Sequence, residues 1–147
     1  MMLDKELQIK LLLADRPWEQ EPQQAEEWVD ADTGYECSIW RNPNMGHLCG
    51  YVGIPKGHPC YGVGYNDMDG IEVHGGLTHS EVADERQVHV FGFDAGHGGD
   101  FSPGLALTMF RINGKLSVWG ELDTYRTWAY VKEDVLSLCK QLKLKEK

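Results

Sequence analysis

Apolar residues recur at spacings of three and four near the end of the chain: Tyr125, Trp128, Val131, Val135, Leu138 and Leu142. That period puts them on one stripe and predicts a helix over residues 124–144, capped by Asp123 or Thr124 and packed on a sheet. Leu3, Leu7 and Leu11 predict a shorter amphipathic helix over Met2 to Leu13, and Pro17 and Pro22 break the chain after it. Between these ends the period is two. Glu27 to Asp30 and Tyr35 to Arg41 read as strands joined by the turn Asp30-Ala31-Asp32-Thr33-Gly34, a β-hairpin. Leu48 to Ile54 is a further strand, weakened by Gly50 and Gly53, and Ile71 to Val73 is a short one. Val88 to Phe93 is the clearest, with Val88 and Val90 facing one way and His89, Phe91 and Phe93 the other. Met109–Ile112 and Lys115–Trp119 flank Asn113-Gly114, a strong two-residue hairpin signal.

These elements predict an α+β fold in a single domain. A mainly antiparallel sheet carries the long C-terminal helix, and an N-terminal helix with its linker occupies residues 1–24. The length of 147 residues suits one such domain. Five Trp and six Tyr supply large side chains for its core.

Charge removes several partners. The formal net charge is −9, and no basic stripe precedes the tail lysines Lys140, Lys143, Lys145 and Lys147, so no nucleic-acid partner is expected. The run Leu11-Leu12-Leu13 is too short for a membrane span or a signal-peptide core, so no membrane partner and a cytoplasmic location are expected. The cysteines Cys37, Cys49, Cys60 and Cys139 form no Cys-x-x-Cys pair, which leaves reduced thiols as the expectation.

Residues 45–104 differ in kind. All six histidines lie between His47 and His97, and 14 of the 17 glycines lie between Gly46 and Gly104. Glycine lets backbone amides approach a ligand, and histidine supplies a proton shuttle or a metal ligand. In Gly50–Gly62, Lys56 and His58 could reach an anion, with Tyr61 beside them. In Glu72–Ser80, Glu72 and His74 would share one face of a strand, as a metal pair or as a base with its orienter, and Thr78 and His79 follow. In Gly92–Asp100, Asp94, His97 and Asp100 sit in a glycine-rich loop directly after a strand. Arg126 stands near a helix start, where phosphate or carboxylate binds. Each cluster also has a purely structural reading as a turn, a hydrogen-bonded imidazole or a surface ion pair.

Familiar enzyme signatures are missing from the sequence. It contains no phosphate loop, no dinucleotide fingerprint, no nucleophile elbow, no paired His-x-Thr motif, no His-Glu-x-x-His and no deaminase zinc pattern.

Four ordered motifs carry a resemblance. Cys49-Gly50-Tyr51-Val52-Gly53 with Gly57-His58-Pro59-x-Tyr61-Gly62, then Val73-His74-Gly75-Gly76-Leu77-Thr78, then Gly92-Phe93-Asp94-x-x-His97-x-Gly99-Asp100, then Tyr125-Arg126-x-x-x-Tyr130-Val131, resemble a family of small bacteriophage and bacterial proteins. The match runs from about Trp28 to Leu142. It implies which residues are shared and implies no activity. By analogy with phage accessory proteins, it suggests counter-defence by capture of a nucleotide-derived immune signal.

Two functions follow as expectations. The first is binding of a small nucleotide-like molecule, with a homo-oligomer as the expected assembly. Its ligand-binding residues would be Arg41, Lys56, His58, Tyr61, His74, Thr78, Asp94, His97, Asp100 and Arg126, with aromatic faces for the base. The second is a hydrolase of a phosphoester or nucleotide that depends on a divalent metal held by His74, Asp94, His97 and Asp100. From Asn42 to Gly104, Lys56 and Arg86 stand against Asp67, Asp69, Glu72, Glu81, Asp84, Glu85, Asp94 and Asp100, a balance that favours a cation over a bare phosphate. A ligand-free interaction module is the third alternative.

Overall fold

A computed structural model describes residues 15–97, 100–105, 108, 112 and 124–147. The expected helix over Met2 to Leu13 and the expected hairpin around Asn113-Gly114 lie outside the described residues.

Five strands form one antiparallel sheet: β1 (Glu26–Val29), β2 (Glu36–Arg41), β3 (Leu48–Pro55), β4 (His79–Ala83) and β5 (Val88–Asp94), in the order β1-β2-β3-β5-β4. A four-residue helix α1 (Pro17–Gln20) precedes them, and the long helix α2 (Trp128–Leu144) lies across β3 and β2. This is the α+β architecture the periodicity predicts.

The first hairpin closes as its turn residues require. Asp30 accepts the Thr33 amide and hydroxyl at 3.0 and 2.6 Å, and Gly34 takes a φ of +78°, which a side chain would resist. The chain then enters β2 with Cys37 and Ile39 inward. Opposite them, Gly50 and Val52 of β3 share the same face by register. Gly50 does more than interrupt an apolar run. A methyl group there would meet Val135 Cγ2 at 2.6 Å and Phe93 Cζ at 2.7 Å, so its bare backbone is what lets α2 seat on the sheet.

The core is one cluster. Ile39, Leu48, Val52, Ile54, Phe91 and Phe93 from the sheet meet Trp128, Val131, Val135, Leu138, Cys139 and Leu142 from α2. Full burial of each large apolar side chain contributes about 1.5–3 kcal/mol.

Two expected elements are corrected. Ile71 to Val73 is not a strand; it runs as a loop whose Ile71 and Val73 still pack on the core. Its amides pair with helix side chains instead of a strand: the Glu72 N–H donates to Gln141 Oε1 and the His74 N–H to Asp134 Oδ2, both at 2.7 Å. The strand at the sheet edge is β4, further on. The C-terminal helix also starts later than Thr124. Residues 124–127 stay extended because Thr124 pairs in parallel with Asp100 and its carbonyl accepts the Phe101 N–H at 2.8 Å. Tyr125 leaves the helical stripe to pack edge-on against Trp18, which also meets Phe101. Thr127 is the cap, its hydroxyl accepting the Tyr130 N–H at 3.2 Å.

No helix among the described residues is long and apolar enough to cross a membrane.

Candidate functional site

Three segments converge at the N-terminal end of α2. The loop after Gly70 brings His74, the segment after β5 brings His97 and Asp100, and the approach to α2 brings Arg126 and then Tyr130 on its first turn. Asp100 is their centre. Its side chain is 2% exposed. It accepts the Arg126 Nε–H at 3.0 Å, the His97 backbone N–H at 3.0 Å and the His74 ring at 2.7 Å. A carboxylate beside a guanidinium only accepts, so His74 must offer it Nε2–H.

That fixes the other side of the imidazole. With the proton on Nε2, neutral His74 leaves Nδ1 as an acceptor, and the Tyr130 hydroxyl donates to it at 2.9 Å. Asp100, His74 and Tyr130 thus form a hydrogen-bonded chain from a buried carboxylate to an exposed phenol. Asp134, one turn beyond Tyr130 on α2, holds the His74 backbone in place. The Arg126 guanidinium lies over the Tyr130 ring, 5.0 Å from its centre. Arg126 uses only Nε toward Asp100; its two terminal amino groups make no hydrogen bond among the described residues.

Asp94 builds the flank. It accepts the Thr78 hydroxyl at 3.2 Å and the Gly96 N–H at 3.0 Å, and lies 3.4 Å from His97 Nε2. That last contact is not a hydrogen bond, since His97 Nε2 is buried and unpaired among the described residues. The His97 ring presses against Gly75, whose φ of +70° and missing side chain make the contact possible. His47 closes the floor under Gly96. Burial holds the His47 pKa below the ordinary imidazole value of 6.5, outweighing the nearby Asp94 and Asp100.

Of the sequence-predicted residues, the structure brings together His74, Thr78, Asp94, His97, Asp100 and Arg126. The others stand apart. Arg41 donates to Gly46 O and to the Tyr125 hydroxyl, both at 2.9 Å, and pairs with Glu21, which makes it a strut. Lys56 is exposed in the turn after β3. His58 is buried, shares a hydrogen bond with Leu142 O at 2.8 Å and accepts the Cys60 N–H, so it ties down the C-terminal end of α2. Twelve residues separate Leu142 from Tyr130, about 18 Å along a helix, so the expected pocket shared by His58 and His74 does not form. Tyr61 packs edge-on to His89. The expected pairing of Glu72 with His74 on one strand face fails with the strand itself.

Sequence reasoning did not count Asp134 or His47 as site residues and named Tyr130 only within the fourth motif. Tyr130 was within reach, four residues after Arg126 and so beside it on a helical turn.

A groove of about 440 Å³ starts at Tyr130 and runs past Glu133, Asp134, Ser137 and Lys140. With the histidines neutral, Asp94, Asp100 and Asp134 outnumber Arg126, and the surroundings are acidic. Among the described residues no three or more His, Cys, Asp or Glu side chains are placed to hold a metal ion. His74 and Asp100, two of the four expected ligands, are engaged with each other. Compared with known protein families, curated proteins and solved structures, the chain matches none.

Proposed function

We propose that the cluster around Asp100 binds a small nucleotide-derived molecule through its phosphate. The observation that carries this reading is the posture of Arg126. Buried Asp100 holds it by Nε, its side chain is 30% exposed over the Tyr130 ring, and its amino groups make no hydrogen bond among the described residues. A planar fork with two open amino groups matches the oxygens of a phosphate. Asp94, partly exposed, offers acceptor oxygens to ribose hydroxyls. The resemblance to bacteriophage and bacterial proteins supports capture of an immune signal as the use of such a site.

Calorimetry against cyclic dinucleotides and ADP-ribose derivatives tests this, with chromatography of the ligand after heat release. A binder at a hundredfold excess over its dissociation constant should add about 2.7 kcal/mol of stability. Arg126→Ala should abolish that gain; because it also strips buried Asp100 of a partner, the gain is read against the variant's own ligand-free melt. Absence of binding across the panel would remove the proposal.

A further inference from the structure

We infer that Tyr130 is a nucleophile, activated by His74 and Asp100, that cleaves phosphodiesters without a metal. The inference rests on the reading of Arg126 as a phosphate-binding group. Tyr130 is 38% exposed, and its hydroxyl has His74 Nδ1 as its partner at 2.9 Å. His74 in turn has both orienting contacts a general base needs: Asp100 behind Nε2, and Asp134 on its backbone amide. A tyrosine placed for packing alone would not need a buried carboxylate aligned through an imidazole to its oxygen. Arg126 stands over the same ring, 5.0 Å from its centre.

The chemistry balances in two steps. The Tyr130 Oη attacks phosphorus as its proton passes to His74 Nδ1. The P–O bond to the departing alcohol breaks, and His74 returns that proton to the alcohol oxygen. Water then attacks the phosphoryl-tyrosine, His74 Nδ1 takes its proton, and the P–O bond to Tyr130 breaks with the proton restored to Oη. Asp100 stays ionised and stabilises the imidazolium formed in between. The Arg126 amino groups hold the non-bridging oxygens, where charge accumulates.

Local charge selects the substrate class. The groove beyond Tyr130 carries Glu133 and Asp134, with Lys140 at its far end. A phosphomonoester brings two negative charges to this acidic surface, whereas a phosphodiester brings one and is repelled less beside the single Arg126. The substrate is therefore a phosphodiester, and nucleosides joined or cyclised through phosphate belong to that class.

Bis(4-nitrophenyl) phosphate and 4-nitrophenyl phosphate, each with excess chelator, are the probes. The wild type should release nitrophenolate from the diester and much less from the monoester, at a rate the chelator leaves unchanged. Tyr130→Phe and His74→Gln should each lower the diester rate by about 100-fold or more, with melting temperatures reported beside the rates. Acid quenching followed by intact-mass measurement needs no variant. It should find the phosphoryl adduct on wild-type Tyr130. Wild-type rates in Tyr130→Phe, loss of activity with chelator, or a diester left intact by the wild type would each overturn the nucleophile. If cyclic dinucleotides still bind in that last case, the binding site survives and only the cleavage falls; if nothing binds, both fall.

Discussion

The Glu21 carboxylate accepts the backbone N–H of Trp128 at 2.9 Å, so a residue near the start of the described chain caps the last helix. The same carboxylate accepts the Tyr125 hydroxyl and pairs with Arg41 at 3.2 Å, and both charged side chains are largely buried. Removing it strands a buried guanidinium and a free helix N–H. Glu21→Ala should cost about 3 kcal/mol in urea unfolding. A loss under about 1 kcal/mol would mean that Thr127 alone holds the helix start.

Gly50 should reject a methyl group. Gly50→Ala drives Cβ into Val135 and Phe93, and overpacking of this kind costs about 1–3 kcal/mol. Val135→Ala opens the space on the helix side. The double variant should therefore be less damaged than the sum of the two single ones, by a coupling of about 0.5 kcal/mol or more. Strict additivity would show that α2 does not rest on Gly50.

Much of this fold is legible in the sequence, and the failures have physical causes. Val131, Val135, Leu138 and Leu142 lie on the buried face their spacing predicts, and the turn from Asp30 to Gly34 closes the predicted hairpin. Strand β4 escaped because His79, Ser80 and Glu81 carry little apolar signal; an edge strand is recruited by its neighbour's free hydrogen bonds. Ile71 and Val73 misled for the opposite reason. They are apolar and partly buried, but the amides beside them, of Glu72 and His74, are taken by the helix side chains Gln141 and Asp134 in place of a neighbouring strand. The Gly- and His-rich region holds His74 and Asp100, and these two meet Arg126. Composition could not separate His74 from His58, because an imidazole bound to a carboxylate and one bound to a helix carbonyl look alike in one dimension.

Acid should weaken the protein before its carboxylates titrate. Burial lowers the folded pKa of both His47 and His89 below 6.5. His89 also accepts the Gly62 N–H on Nδ1. The unfolded chain therefore binds protons that the folded chain refuses. Stability from these groups is fully present above pH 6.5 and is lost as pH falls through that value toward the lowered folded ones. Urea midpoints should drop between about pH 7.5 and 5.5. His89→Gln, which can still accept from Gly62, should flatten that slope. Equal midpoints at the two pH values would refute the assignment.

Asp100 should matter to the fold as well as to the site. Asp100→Asn keeps the shape but removes the charge that Arg126 and His74 face, and loss of one partner in a buried pair costs about 3–5 kcal/mol. Arg126→Gln in the same background should recover part of the loss. If it recovers nothing, the guanidinium does not depend on Asp100 for its charge balance.

The two side chains that hold the His74 loop, Asp134 and Gln141, stand seven residues apart on α2. Seven residues are close to two turns, so both project along one line of the cylinder. The loop therefore works as a gauge of how the helix is rotated. A slip by one residue would swing both partners away by about 100°, and the amides of Glu72 and His74 would lose them together. His74 can face Asp100 and Tyr130 only while α2 keeps a single angular setting, so correct docking of the helix and assembly of the site are one event.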